Sequence, residues 1–348
     1  MKFECYSNWS QLPASADSLF EHCSNESMFF TREWFETLTT TTLEDGQPLS
    51  LAAVVDEGSV LALLPLVGKN ENRESFSHRY TALYSPLLLE EGQAEVLVCL
   101  AEGLGQMPVH SLALSPVAVD DSNMLGLRKA MATSGYEYQQ HFFFYNWIHR
   151  TRRQSFDEYM AERPSQLRNT IKRKRRKLER EHEYEIRMFR GDEVQKGLID
   201  YHAAYSASWK ANEQYVALLD AVAINLSVPD WTRLAILYID GKVVAAQLWF
   251  VVHSKASIFR LAYDSEWRHY SPGSILTAYL MHYVIDVDKV EEIDFLTGND
   301  AYKQDWMSLR RQRWRVVFFR QHKSQSSSGK YMSMLRNLFR GLFNKPVD

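Results

Sequence analysis

The segment that decides the fold is residues 257–303, SIFRLAYDSEWRHYSPGSILTAYLMHYVIDVDKVEEIDFLTGNDAYK. An apolar run at 258–263 predicts a strand, the pattern at 275–285 predicts a helix, and a second apolar run at 292–296 predicts another strand. The turn RHYSPGS at 268–274 places Pro272 near the first turn of the helix, where proline is favoured. Unpaired N–H groups at such a helix start stabilise an anion such as a pyrophosphate. The alternative is an ordinary helix start without a ligand.

Composition limits the possible partners of the chain. The 348 residues are 45% hydrophobic, which is ample for a core, and this length is more natural for two domains than for one. The formal net charge is only -3, so any nucleic-acid or membrane partner has to be recruited by a local patch.

The cysteines, histidines and N-terminus carry weaker signals. Cys5, Cys23 and Cys99 are odd in number and widely spaced, which argues against a disulfide framework, and the histidines lack metal-ligand spacing. We therefore expect no metal. Residues 1–10 lack the apolar core of a secretory signal, and no apolar run reaches the roughly 20 residues of a membrane span. These patterns predict a cytoplasmic location.

The chain reads as two similar halves. Each half has a hairpin signal, at Asp56-Glu57-Gly58 and at Asp240-Gly241, followed by strand, helix and strand patterns. Strands alternating with helices predict an α/β (α+β) fold of two tandem domains, each a mixed sheet flanked by helices. The repeated order indicates a tandem duplication.

The two halves differ in chemistry. Where the second half has Arg268 and Gly273, the first half has apolar residues followed by Glu90 and Glu91, which would repel a pyrophosphate. We therefore expect a scaffold or acceptor-side domain at residues 1–150 and the donor site in a domain at residues 151–322. A serine-rich linker and a basic amphipathic tail are expected at 323–348.

The turn at 268–274 resembles the coenzyme A loop of the GNAT acyltransferase superfamily. Arg268, Ser271 and Gly273 fall on the three motif positions, although serine replaces the middle glycine. Three passages are similar to the FemAB-like branch, which includes CelD-type acetyltransferases of cellulose biosynthesis. They are the basic segment 167–181, the turn YSPG at 270–273, and DFLTG at 294–298 leading to Tyr302-Lys303.

This resemblance implies a donor site for acetyl-CoA or another acyl-CoA as co-substrate. The strand before the loop would offer main-chain N–H groups to the thioester and pantetheine arm, and the loop would hold the pyrophosphate. The residues implied for the coenzyme are Leu261, Ala262, Tyr263, Arg268, Ser271, Gly273 and Ser274.

Four side chains are candidates for catalysis. Asp264 and Glu266 lie just past the strand and could act as the base, directly or through water, or could be helix caps. The resemblance gives Tyr302 the role of protonating the leaving thiolate, and Lys303 could neutralise a phosphate or the oxyanion. Alternatively, Tyr302 and Lys303 form a helix start with a packed ring and a solvated amine.

The segment 168–180 holds eight cations against one acid, Glu179. Leu167, Ile171 and Leu178 mark one helical face, so most cations project to solvent on the other faces. This density predicts a polyanion site, with coenzyme A phosphates, a nucleotide-linked acceptor, tRNA and an anionic lipid surface all left open. A solvated helix face is the alternative. No motif for sequence-specific nucleic-acid binding accompanies it. The candidate residues are Arg168, Lys172, Arg175 and Arg176.

The tail has apolar residues at helical spacing within 331–343, and its charged residues at 330–345 are all basic. Such a helix could lie on the inner face of a membrane, dock on a partner, or pack on its own domain.

Three functions remain open from the sequence. The first is an N-acyltransferase that moves an acyl group from acyl-CoA to an amine on a sugar, sugar nucleotide, or cell-envelope or polysaccharide precursor. The second is a Fem-type transferase that uses aminoacyl-tRNA. The third is a non-catalytic module in polysaccharide or envelope assembly.

Overall fold

A computed structural model describes residues 1–44, 47–68, 71–90, 93–210 and 213–320. The first half contains β1 (Lys2–Tyr6), α1 (Ala16–Ser24), α2 (Arg32–Thr42), β2 (Leu49–Asp56), β3 (Ser59–Val67), β4 (Asn72–Ser75), β5 (Leu87–Leu88), α3 (Ala94–Gln106), β6 (Ser111–Val117), α4 (Ser122–Thr133) and β7 (Tyr136–Arg150). The predicted tail lies outside the described residues.

The second half begins with two helices and ends with a long strand. Its elements are α5 (Phe156–Ala161), α6 (Ser165–Glu181), β8 (Tyr184–Phe189), α7 (Val194–Ser206), α8 (Val216–Asn225), β9 (Thr232–Ile239), β10 (Lys242–Val252), β11 (Lys255–Tyr263), α9 (Pro272–His282), β12 (Glu292–Thr297), α10 (Lys303–Trp306) and β13 (Leu309–Arg320). The predicted α/β fold is confirmed, with helices flanking a mixed sheet.

All of these strands belong to one sheet, and the final strand of each half pairs with strands of the other half. The order is β1-β2-β3-β4-β6-β13-β7-β12-β11-β10-β9-β8, with β5 paired to β3. Thus β13 pairs with β6 of the first half, β7 pairs with β12 of the second, and β7 and β13 pair with each other. From one edge to the centre the order is β1, β2, β3, β4, β6 and β13, and from the other edge it is β8, β9, β10, β11, β12 and β7. Each series has the strands of one half in sequence order, followed by the last of these strands from the other half. This repeated order is expected for a tandem duplication.

The two hairpins have the same turn geometry. Glu57 and Gly58 have φ values of 48° and 86°, and Asp240 and Gly241 have φ values of 49° and 75°. Positive φ at both central residues defines the type I′ turn, whose twist matches that of the flanking strands. The hairpins predicted from the Gly58 and Gly241 signals are therefore confirmed.

Two hydrophobic cores cover opposite faces of the second half. Leu234 and Ile236 of β9 face α7 and belong to a core that continues through the first half. The alternating residues Ala235 and Leu237 face α9, in a second core that α5 and α6 complete. This separation places α7 and α9 on opposite sides of the same strands.

In the first half, the apolar residues 80–89 form little regular secondary structure. Only Leu87–Leu88 forms a strand there. The backbone makes tertiary contacts instead: Tyr84 N–H donates to Pro116 O at 2.6 Å, and Arg313 donates to Ala82 O at 3.1 Å. These contacts satisfy the backbone without a ladder.

Candidate active site

The site begins where the neighbouring strands β11 and β12 part. They pair in parallel only from Lys255 to Ser257, opposite Glu292 to Asp294. Beyond Ser257, β11 runs on to Tyr263 paired only with β10. The second edge of β11 is therefore open, and its main-chain groups face a gap between the two strands.

A β-bulge lies at the start of this gap. The β10 register pairs Leu248 with Arg260 and Trp249 with Ile258, so Phe259 has no partner. A bulge increases local twist and is common beside active sites. Past the bulge, Asp264 N–H returns to β10 by donating to Val244 O at 2.8 Å. Because backbone groups alternate between the two edges of a strand, those of Leu261 face the gap.

The turn after β11 is a 3₁₀ helix, Ser265–Tyr270, followed directly by α9. Asp264 caps this short helix by accepting from Glu266 N–H at 2.9 Å. Ser271 then adopts a left-handed conformation, with φ 54° and ψ 50°. Serine thus takes a glycine-like conformation at the position where the GNAT motif has its middle glycine.

The N–H groups of the first turn of α9 are only partly free. Those of Ser274 and Ile275 donate to Ser271 O at 3.0 and 3.2 Å, whereas the N–H of Gly273 has no partner among the described residues. A Cβ at Gly273 would lie 3.2 Å from the Tyr263 ring, so the close approach of that ring favours glycine. One main-chain donor is therefore available to an anion at the helix start.

Polar contacts on both sides hold this turn in place. Gln247, fully buried on β10, donates to Gly273 O at 3.0 Å and to Thr277 at 2.8 Å. On the other side, Tyr270 donates to Glu181 at 2.8 Å, and Lys174 donates to His269 O at 2.5 Å. The basic helix α6 is thus held beside the turn at residues 268–274, which we call the anion turn.

The predicted coenzyme residues lie together on β11 and the turn. Arg268 is exposed and has no charged partner among the described residues, and Glu266 is also exposed. Ala262 is buried, Ser271 and Ser274 are half-buried, and Tyr263 packs against Trp209 with ring centroids 4.4 Å apart. Their roles in binding remain predictions.

Lys303 begins α10, shortly after β12, and is almost fully buried, with 4% exposure. Its Nζ donates to Phe295 O at 3.1 Å and to Thr297 O at 2.6 Å, and lies 3.5 Å from an Asp300 oxygen. Burial lowers the pKa of Lys303, and the Asp300 carboxylate opposes that effect. Two of the three N–H bonds therefore donate to main-chain carbonyls, and Nζ also forms a longer ion pair with Asp300.

Tyr302 is half-exposed beside Lys303, and its ring lies near Phe295. Partial loss of hydration, with a smaller contribution from Asp300, raises the pKa of Tyr302 to about 12. The hydroxyl is therefore protonated at neutral pH, as a proton donor to a thiolate must be.

A polar cluster that the sequence analysis missed joins the two halves. Arg260 Nε donates to Glu213 at 3.2 Å, and its guanidinium lies 3.8 Å from the centre of the Tyr80 ring. Tyr80, from the first half, also donates to Glu213. Tyr201 is fully buried next to this cluster, and its hydroxyl has no partner among the described residues. The sequence signal for this cluster was Arg260, a charged residue inside the apolar run 258–263.

Lys210 is a second residue that the sequence analysis missed. It follows α7 and donates from Nζ to Leu261 O at 2.5 Å, at the gap-facing edge of β11. Burial and the nearby Arg260 lower the pKa of Lys210 to about 8, whereas Glu213 and Asp300 oppose the shift. Lys210 had no recognisable sequence signal, because a single lysine after a helix is common.

The basic helix α6 packs its predicted apolar face into the second core, through Leu167, Ile171 and Leu178. On its exposed surface, Arg175 pairs with Glu179 at 3.0 Å. The other predicted cations, Arg168, Lys172 and Arg176, are exposed and have no acidic partner within the described part of the chain. They recur every four residues and therefore form a stripe along one side of the helix.

Neither a metal centre nor a membrane span is found among the described residues. No cluster of three or more histidine, cysteine, aspartate or glutamate residues there could hold a metal ion. Within those same ranges, no helix has the length and apolar character needed to cross a membrane.

Comparisons with known proteins agree with this geometry. Residues 165–304 match the family model described as an acetyltransferase (GNAT) domain. No curated protein matches the chain. Among solved structures, a crystal structure of FemX is similar with a TM-score of 0.64 and 12% identity, over 90% of this chain and 96% of FemX.

Two further structures share the fold. A conserved protein of unknown function from Bacteroides thetaiotaomicron has a TM-score of 0.56 and 13% identity, over 83% of this chain and 90% of its own. L-PGS from Bacillus licheniformis has a TM-score of 0.52 and 12% identity, over 87% and 90% respectively. The second half of the chain thus contains a region that matches a GNAT acetyltransferase domain, and the chain shares the fold of FemX over most of its length.

Proposed function

We propose that this protein is an N-acyltransferase that moves an acyl group from acyl-CoA to an amine on a sugar, a sugar nucleotide, or a cell-envelope or polysaccharide precursor. The observation that carries the proposal is the parting of β11 and β12 after Ser257, next to the turn that starts α9. The open edge of β11 offers main-chain hydrogen-bonding groups to an extended pantetheine arm. In this proposal Arg268 and the free Gly273 N–H would hold the diphosphate.

The two sides of the gap would serve the two substrates. The α9 side carries the anion turn and would receive the coenzyme, whereas the α7 side would receive the acceptor amine. The amine then attacks the thioester carbon, and the coenzyme leaves as a thiolate. In this scheme Tyr302 protonates the thiolate, and Asp264 or Glu266 takes the amine proton.

Calorimetry with acetyl-CoA tests the donor site. Arg268→Glu reverses a charge on the turn and should weaken binding tenfold or more, about 1.4 kcal/mol. The matched control is Lys196→Glu, which makes the same kind of change on exposed α7, on the opposite face of the sheet. Equal affinity in the wild type and Arg268→Glu would remove the assignment of the turn to coenzyme A.

The cation stripe of α6 favours a second candidate, a Fem-type transferase that uses aminoacyl-tRNA. Arg168, Lys172 and Arg176 are free to contact phosphates, and α6 adjoins the anion turn. Filter binding of charged tRNA and binding of acetyl-CoA, measured at the same salt concentration, separate the candidates. Tight tRNA binding that is abolished by Lys172→Glu with Arg176→Glu would support the second candidate, whereas acetyl-CoA binding without tRNA binding would support the first.

A further inference from the structure

The amine of Lys210 lies at the edge of the gap between the parted strands. Its Nζ donates to Leu261 O at 2.5 Å, and the backbone groups of Leu261 face the gap. The neighbouring Trp209 packs on Tyr263, and Ser265 N–H donates to Ala207 O at 3.4 Å. Residues 207–210 therefore lie along the open edge of β11.

Lys210 approaches this edge from the side opposite the coenzyme turn. It follows α7, whose apolar residues belong to the first core, whereas α9 packs into the second core on the other face of the sheet. An acceptor amine would have to enter from the α7 side if the donor is held on the α9 side. The Lys210 amine thus occupies the approach to the gap that an acceptor amine would use.

We propose that Lys210 is a site of self-acylation, to which the protein transfers the acyl group of bound acyl-CoA when no other acceptor is present. This inference rests on the proposed function, because it needs acyl-CoA in the gap. It adds a modification site on the chain itself. An acyl group on Lys210 would block the approach of an acceptor amine to the gap.

The transfer balances without any further reactant. The lone pair of neutral Lys210 Nζ attacks the thioester carbon, forming an N–C bond as the C–S bond breaks. The nitrogen loses one proton, and the departing thiolate gains one. The products are an amide on Lys210 and free coenzyme A thiol.

The surroundings of Lys210 favour its neutral form. Burial and Arg260 lower the pKa of the amine to about 8, from an ordinary value of 10.5, and Lys303 acts in the same direction. Glu213 and Asp300 act in the opposite direction but do not cancel the shift. At neutral pH the neutral fraction of Lys210 is therefore on the order of a hundred times that of an exposed lysine.

Peptide mapping by mass spectrometry tests the proposal. The full-length protein is incubated with isotopically labelled acetyl-CoA and no acceptor, and label is followed on Lys210 and on the exposed Lys196 and Lys242 as internal controls. Lys210 should gain label at least about tenfold faster than either control, given its larger neutral fraction. Unfolding the protein in urea should abolish this preference.

Two further measurements separate the outcomes. Calorimetry with acetyl-CoA is run first: no binding overturns the proposed function and the self-acylation together. If acetyl-CoA binds but Lys210 gains label no faster than Lys196, only self-acylation is overturned. Lys210→Arg should remove the fast label while the slow labelling of Lys196 and Lys242 continues. Because the main comparison uses the wild type, it stands even if this variant folds poorly.

Discussion

Replacing Lys303 with methionine separates a structural role of this residue from a catalytic one. Methionine is similar in length and apolar, and it removes the amine that donates to Phe295 O and Thr297 O. The two carbonyls end β12 at the edge of the gap, so the change acts on the strand that frames the site.

The expected cost follows from these contacts. Each carbonyl left without its donor costs about 1–3 kcal/mol, and the Asp300 contact adds little because that carboxylate is 62% exposed. Burial disfavours the ammonium, as the lowered pKa of Lys303 shows, and methionine relieves this penalty. The net loss in the free energy of unfolding should be about 2–4 kcal/mol.

Urea unfolding followed by circular dichroism measures this loss, and acetyl-CoA calorimetry is run on the same samples. Lys196→Met on exposed α7 is the control and should change stability by less than about 0.5 kcal/mol. Suppose that Lys303→Met loses less than about 1 kcal/mol while acyl transfer falls about a hundredfold. The amine would then act on the substrate, and its assignment to holding β12 would be wrong.

Two other changes test the contacts around the site. Glu213→Gln leaves the half-buried Arg260 without its carboxylate and should cost about 3 kcal/mol of unfolding free energy. The same substitution in an Arg260→Met background should cost less, because the partner charge is already absent. Equal costs of Glu213→Gln in the two backgrounds would show that the two residues are not coupled. A separate test concerns His149, which is buried on β7. Burial lowers the pKa of His149 to about 4, so between pH 4 and the ordinary value of 6.5 the folded protein binds fewer protons than the unfolded chain. The free energy of unfolding should therefore fall as the pH drops through that interval, and urea titrations of His149→Asn should show a smaller fall.

Much of the fold could be predicted because its signals are local. The glycine-containing turns at Asp56-Glu57-Gly58 and Asp240-Gly241 marked both hairpins, and the apolar face of α6 was visible as Leu167, Ile171 and Leu178. The helix α8 was missed because its sequence, VALLDAVAIN, is apolar on nearly every side and shows no period. It packs between α7 and α2 of the first half, a tertiary environment that no local pattern reports.

The site was predictable in part. The strand, the turn and the helix start were located from residues 258–275, since proline and glycine punctuate the chain there. The cluster of Tyr80, Glu213 and Arg260 was not found, because its members come from segments far apart in sequence. Position on the strand edge, not residue type, is what distinguishes Lys210 from other lysines.

The exchange of β7 and β13 bears on how the protein is made. During synthesis the N-terminal half leaves the ribosome first, but β6, which pairs with β4 on one side, gains its second neighbour only when residues 309–320 emerge. Until then β6 and β7 present unpaired edges, which are prone to aggregation. The sheet of the nascent chain can therefore be completed only after β13 emerges. Fragments cut near residue 150 would each lack the central strand that the other half supplies, β13 for the first fragment and β7 for the second.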